Sequence, residues 1–163
     1  MHAQHSRPWL QIDEVLALDL LTLREHTELA GDVLDAQMHR QSIQASMKVS
    51  EIAAVRRNGA LVAYAMLQPR ENGCWFVTGF NTHPDHRSAP TFRELFEQIS
   101  TIARLHAITS LKSNVYKTNR LSMAFHKRLG FKVTKENVKG VEFHATLVDL
   151  KANRSVERTD LGR

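Results

Sequence analysis

The chain has 163 residues, of which 42% are hydrophobic and 24% are charged, and its formal net charge is +5 at pH 7. This composition is typical of a globular domain, and no apolar run reaches the length that spans a membrane. The length predicts one domain over residues 1–150, followed by a charged, flexible tail at 151–163. Cys74 is the only cysteine, so no intramolecular disulfide is expected. A cytoplasmic location is therefore expected.

The positive charge favours an anionic ligand, because a positive cleft attracts anions from solution. The basic residues are interleaved with acidic ones, so nucleic acid is not the expected partner. No membrane partner is expected either, and a homodimer is one open possibility.

Two helices are predicted before the first strand. Apolar residues recur at helical spacing over Asp13–Leu29, and Gly31 ends or interrupts that helix. The segment Asp32–Lys48 carries fewer apolar residues, which predicts a second and more exposed helix.

Three strands are predicted next, at Glu51–Arg57, Leu61–Leu67 and Cys74–Thr82. The dipeptide Asn58-Gly59 between the first two supplies the positive φ angles of a tight hairpin turn. An apolar stripe at helical spacing then predicts a helix over Thr91–His106. Its start fits a capping box from Thr91 to Glu94, or alternatively a proline, Pro90, in the first turn.

The remaining elements complete a sheet. The strand Thr109–Tyr116 is expected to run parallel to the preceding strand, because a helix connects the two. Asn119 is placed to cap a short helix that Gly130 ends. The expected buried face of this helix consists of Leu121, Ala124, Phe125 and Leu129. A final hairpin is predicted from Phe131–Lys135 and Val141–Val148.

Three motifs in this order resemble the GNAT superfamily of acetyl-CoA-dependent N-acetyltransferases. They are Pro84-x-x-Arg87, Val115-x-x-x-Asn119 and Leu129-Gly130-Phe131, and the resemblance covers about residues 50–148. It implies an α+β fold with a mixed, mostly antiparallel sheet, one central parallel strand pair and helices on both faces. It further implies transfer of an acetyl or other acyl group from acyl-CoA to a primary amine of a small molecule or protein. The amine would attack directly in a ternary complex.

The resemblance also implies a donor site where the third strand meets the following helix. Its acyl-CoA co-substrate would be bound by Phe80, Thr82, Arg87, Ser88, Thr91, Arg93 and Asn119. Pro90 and Phe92 depart from the family pattern, because they stand where glycines let the backbone approach the pyrophosphate. Pro90 also lacks the N–H group that would donate to a phosphate.

His126 occupies the position of a tyrosine that is the proposed general acid in many members of the family. An imidazole that titrates near neutrality can protonate the CoA thiolate. The alternative is a partly exposed surface histidine without a catalytic role. No general base is evident, since Phe76 stands where some relatives carry a glutamate. No metal is expected, because the pair His83 and His86 lies in a loop without a completing ligand.

Two further functions remain open. The first is a catalytically inactive binding or assembly module with the same fold, which Pro90, Phe92 and Phe76 motivate. The second is an acyltransferase that uses a different donor, such as long-chain acyl-CoA or an acyl carrier protein.

Overall fold

The computed structural model describes residues 10–150, and the tail predicted at 151–163 lies outside this range. Six strands form one sheet: β1 (Glu51–Arg57), β2 (Ala60–Pro69), β3 (Cys74–Thr82), β4 (Ser110–Tyr116), β5 (Lys132–Glu136) and β6 (Gly140–Thr146). Their order in the sheet is β1-β2-β3-β4-β6-β5. All neighbouring strands are antiparallel except β3 and β4, which pair in parallel at the centre.

Four α-helices cover the sheet: α1 (Ile12–Leu29), α2 (Ala36–Val49), α3 (Ala89–Leu105) and α4 (Arg120–Leu129). A short 3₁₀ helix, Pro84–His86, precedes α3, and residues 147–150 are helical where the last strand was predicted to continue. Over residues 10–150, none of the helices combines the length and the apolar character that crossing a bilayer requires.

The sheet separates two apolar cores, because alternate side chains of its strands point to opposite faces. On one face, Leu67 and Phe143 pack with Leu95 of α3. On the other face, Tyr64 packs with Val15 of α1. The pair α3 and α4 therefore covers one face and the pair α1 and α2 the other, so the expected α+β architecture is confirmed.

The predicted hairpin turn is also confirmed. Asn58 and Gly59 have φ angles of 51° and 81°, which are the left-handed values that this turn requires. They connect β1 to β2, which is buried along most of its length.

The expected buried face of α4 is wrong in part. Leu121 is 57% exposed, whereas His126 is only 7% exposed. Met123 and Leu129 pack against the core on the same side as His126, because residues three apart share a helix face. The helix is thus rotated relative to the prediction, and it brings a histidine into the core.

Candidate active site

The parallel pair β3–β4 opens into a fork. The two strands are paired from Cys74–Ser110 to Val77–Ser113, and within the described residues the shared ladder ends there. Beyond it, residues 79–82 pair only with β2 and residues 114–116 only with β6. The backbone edges that face each other across the fork therefore lie open to a ligand.

A β-bulge lies on one arm of the fork. Met66 pairs with Gly79 while Leu67 pairs with Val77, so that Thr78 is the extra residue. A bulge re-aims the strand that carries it. Gly79 has a second role, since a Cβ there would lie 2.7 Å from the Tyr64 ring.

A cavity of about 340 Å³ lies between α3 and α4, on the sheet face below the fork. Phe80 and Phe125 line it with centroids 5.7 Å apart, and Phe96 lies 6.2 Å from each. Other apolar members include Val77, Ile99, Leu111, Leu147 and Leu150. Volume and lining are those of a small-molecule site with few polar groups.

The bulk of Phe92 is directed away from the start of α3. Its ring lies 5.2 Å from that of Phe125 and 6.4 Å from that of Phe96. Phe92 thus joins the aromatic cluster that lines the helix interface. Of the two departures from the glycine pattern, Pro90 alone affects the backbone donors.

The predicted capping box from Thr91 to Glu94 is wrong, because helix α3 begins earlier, at Ala89. Ser88 is the N-cap and Pro90 lies in the first turn, while Glu94 instead forms an ion pair of 2.8 Å with Arg57. Proline is favoured in the first turn because its missing N–H would have no partner inside the helix. Thr91, inside the helix, is 1% exposed, and its hydroxyl lies 3.2 Å from that of Ser88.

The first turn of α3 still offers an anion two backbone donors. The first intrahelical bond runs from Phe92 N–H to the Ser88 carbonyl at 3.1 Å. The N–H groups of Ala89 and Thr91 precede it and have no partner within the helix. Arg87 and Arg93 are exposed on either side of this turn. The residues present therefore fit a pyrophosphate, with one donor fewer than an all-glycine loop would supply.

Two other predicted binding residues lie at the fork or next to it. Thr82 ends β3 and is 6% exposed, and its buried hydroxyl has no hydrogen-bond partner among the described residues. Asn119 caps α4, since its side chain accepts from Ser122 N–H at 3.1 Å. The Asn119 side chain is committed to the cap, whereas the Thr82 hydroxyl has no partner among the described residues.

His126 lies inside the core and lines the cavity, so the alternative of a partly exposed surface residue is wrong. Its Nδ1–H donates to the Ser122 carbonyl at 2.8 Å. Its Nε2 therefore accepts from the Ser113 hydroxyl at 3.1 Å. The ring stacks on Phe143 at 4.9 Å. Burial lowers the pKa of His126, and the bond to the Ser122 carbonyl opposes this shift.

Ser113 was missed in the sequence. It belongs to the last pair of the β3–β4 ladder, so its hydroxyl connects His126 to the vertex of the fork. A serine within a strand carries no distinguishing signal by itself. Its partner lies 13 residues away, across a loop and a helix start.

A buried polar network on the opposite face of the sheet was missed as well. Asp19 of α1 is 2% exposed and accepts hydrogen bonds from Tyr64, Asn81 and His39. One signal was present: Asp19 follows Val15 by four residues, so a carboxylate occupies the buried stripe of α1. Among residues 10–150, no three His, Cys, Asp or Glu side chains form a group that could hold a metal ion.

Solved structures with the same fold include several acetyltransferases. PaiA N-acetyltransferase from Thermoplasma acidophilum, solved with coenzyme A, has a TM-score of 0.64 at 11% identity, over 83% of this chain and 92% of its own. A GNAT acetyltransferase from Staphylococcus aureus Mu50 has a TM-score of 0.67 at 12% identity, over 88% and 96%. Ribosomal-protein-alanine N-acetyltransferase from Brucella melitensis has a TM-score of 0.57 at 17% identity, over 85% of this chain and 97% of its own.

Sequence comparison agrees with the fold. No curated protein matches the sequence significantly. The model of the acetyltransferase (GNAT) family matches residues 17–131, a segment that contains the bulge, the fork, the start of α3 and all of α4. The match covers most of the chain, and the forked parallel pair lies at its centre. The chain therefore belongs to the acetyltransferase (GNAT) family.

Proposed function

We propose that this protein transfers an acyl group from acyl-CoA to a primary amine, by direct attack of the amine in a ternary complex. The observation that carries the proposal is the fork between β3 and β4, with its bulge at Thr78. Backbone N–H groups at such an opening are fixed in place, and they stabilise the oxyanion that forms when an amine attacks a thioester. The names of the Thermoplasma and Brucella proteins, both N-acetyltransferases, support nitrogen as the acceptor atom.

The donor would enter from the face covered by α3 and α4. Its pyrophosphate would lie at the first turn of α3, near Arg87, Ser88 and Arg93, and its pantetheine arm beside Phe80 and Thr82. The protein then contributes orientation and polarisation of the thioester, which are the effects that accelerate a reaction between two bound substrates. No metal is needed for this chemistry, and a cytoplasmic location fits the supply of acyl-CoA.

His126 is proposed to protonate the departing thiolate. Burial lowers the pKa of its imidazolium, which makes that form a stronger acid but a less populated one near neutral pH. Substitution His126→Phe keeps a flat ring against Phe143 and should lower turnover at least tenfold while donor binding stays within about twofold. Ser113→Ala is the matched variant, because it removes only the partner of Nε2. An unchanged rate in His126→Phe would remove this residue from the mechanism.

A longer acyl group is the second candidate, and the cavity between α3 and α4 favours it. Most of its lining is apolar and it adjoins Phe80 on one arm of the fork. An acyl chain gains about 0.8 kcal/mol for each CH₂ that it buries there.

The test compares acetyl-CoA, long-chain acyl-CoA and acyl carrier protein as donors to one panel of amines. Preference for acetyl-CoA is the expected result. A strong preference for a longer chain would assign the cavity to the acyl group. No transfer from any donor would favour the binding or assembly module, for which Pro90 and Phe76 remain the motivation.

A further inference from the structure

A buried carboxylate lies against the fork on the face that α1 and α2 cover. The side chain of Asp19 is 3% exposed, and three side chains donate to it. Tyr64 OH and Asn81 Nδ2 bond Oδ1 at 2.6 and 2.7 Å, and His39 Nε2 bonds Oδ2 at 2.7 Å. The four residues come from α1, β2, β3 and α2, so side chains from four separate elements meet at this carboxylate.

A set of apolar side chains in place of the whole network would fill this core without a free-energy penalty. Taking a carboxylate out of water is expensive, and replacing a buried ionic group by well-packed apolar residues is often neutral or stabilising. Val15 and Leu18, the buried neighbours of Asp19 on α1, are both apolar. Packing therefore gives no reason for a charge here, and a chemical role does.

The carboxylate is close to one arm of the fork. Asn81, which donates to Asp19, lies on β3 beyond the last pair shared with β4. Farther along, α1 reaches the turn that follows the other arm, since the His26 carbonyl accepts from the Thr118 hydroxyl at 2.7 Å. In the same region Tyr116 of β4 donates to Asp32. The helix α1 thus crosses the fork on the side opposite α3 and α4, where an acceptor would approach the thioester.

The bond to Asp19 fixes the tautomer of His39. An ionised carboxylate only accepts hydrogen bonds, so Nε2 of His39 carries the proton. In the neutral ring Nδ1 then holds a lone pair, and no hydrogen bond among residues 10–150 is formed by this atom. The side chain is 22% exposed, so one edge of the ring reaches solvent.

The other two donors cannot serve as a base. Burial, reinforced by the nearby Asp19, raises the pKa of Tyr64 well above its ordinary value, so it stays a protonated donor. The amide of Asn81 does not titrate. The charged neighbours of His39 along these helices are themselves paired, Arg40 with Asp13 at 3.1 Å and Glu14 with Arg56 of β1 at 2.7 Å.

We propose that His39, held in position by Asp19, is the general base that removes a proton from the acceptor ammonium group. This role rests on the acyl transfer proposed above. Nδ1 of His39 takes one proton from the ammonium, and the freed nitrogen lone pair forms the bond to the thioester carbon. The C–S bond then breaks, its electron pair leaves on the CoA sulfur, His126 protonates that thiolate, and the second amine proton restores the imidazolium of His126 through solvent. The products are an amide, CoA and a protonated imidazole that returns its proton to water.

The test measures kcat/KM for the amine in His39→Gln, with Met38→Ala as the control. Met38 lies next to His39 on α2 and is 70% exposed. At pH 7 the His39→Gln variant should lose about 10²-fold or more, the usual contribution of a general base. The loss should shrink as the pH rises toward the pKa of the amine. Met38→Ala should match the wild-type protein throughout.

A second acceptor separates base catalysis from a structural role. An aromatic amine is already deprotonated at pH 7 and needs no base before attack. The wild-type protein and His39→Gln should therefore acylate it at rates within about threefold of each other. The melting shift produced by acetyl-CoA should also be equal in both. In Asp19→Asn the loss with an alkyl amine should again be large, because the imidazole is no longer held.

Three results would overturn the role of His39. The first is alkyl-amine turnover in His39→Gln within twofold of the wild-type protein. The second is an equal loss with the aromatic amine, which would make His39 structural. The third is a wild-type protein that binds acetyl-CoA but acylates no amine, which would overturn the proposed function as well.

Discussion

The substitution Gly79→Ala tests how the fork is built. Replacing glycine by alanine in a strand ordinarily stabilises a protein by about 0.4–1 kcal/mol, because the unfolded chain loses freedom. Here the new Cβ would lie 2.7 Å from Cε2 and 2.9 Å from the hydroxyl of Tyr64. Tyr64 is 2% exposed, so its ring has no free space into which to move. The structure therefore predicts the opposite sign.

The expected loss has two sources. Overpacking a core by one methyl group costs about 1–3 kcal/mol. A shift of the Tyr64 ring would also weaken its 2.6 Å bond to Asp19, and bonds to charged groups contribute about 1.5–3 kcal/mol. We expect Gly79→Ala to lower the free energy of unfolding by about 2–4 kcal/mol. This corresponds to a fall in Tm of roughly 5–15 °C for a domain of this size.

Urea unfolding followed by tryptophan fluorescence measures this loss. The same substitution in a Tyr64→Val background is the control, since the shorter side chain leaves room for the methyl group. There the cost of Gly79→Ala should fall below about 0.5 kcal/mol, which makes the two changes strongly coupled. Equal costs in both backgrounds, or a stabilising effect in the wild-type background, would show that the Tyr64 ring does not limit the space at Gly79.

Three further predictions concern stability. The side chain of Gln98 forms hydrogen bonds of 2.8 Å with both the N–H and the C=O of Ala54 on the edge strand β1. Gln98→Ala should therefore lower the free energy of unfolding in urea by about 1–3 kcal/mol. The control Glu97→Ala, at an exposed position, should lower it by less than about 0.5 kcal/mol. Asn119→Ala should cost about 1 kcal/mol by removing the α4 cap, and melting would detect it. Burial lowers the pKa of His126 below 6.5, so the unfolded chain binds more protons just below that pH. Stability should therefore fall as the pH drops below about 6.5, and His126→Phe should flatten that fall.

Local signals in the sequence were sufficient to predict most of the fold. The Asn58-Gly59 dipeptide fixed a hairpin through backbone geometry that few residue types adopt. The helix between Cys74–Thr82 and the next strand required a parallel pair. Gly130, with a φ of 102°, ended α4 where it was expected. Each of these features depends on residues close together in the chain.

The site could be predicted only in part, because its polar contacts join distant segments. Asn81 lies 62 residues from Asp19, and neither residue type carries a pattern that points to the other. The burial of His126 depends on Ser113, which satisfies its second ring nitrogen. A histidine can be buried only when its ring nitrogens have hydrogen-bond partners. The local sequence does not show such partners, so the apolar spacing alone placed His126 off the buried face.

Thermal unfolding of the full chain with and without acetyl-CoA tests whether the fork and the start of α3 hold an acyl-CoA. At about a hundred times its Kd, a ligand stabilises the folded protein by roughly 2.7 kcal/mol, which predicts a rise in Tm of about 5–10 °C. Arg87→Ala should reduce the rise by removing a charge beside the pyrophosphate. If acetyl-CoA, free CoA and long-chain acyl-CoA all leave Tm unchanged at about millimolar concentration, the donor site is not where this account places it.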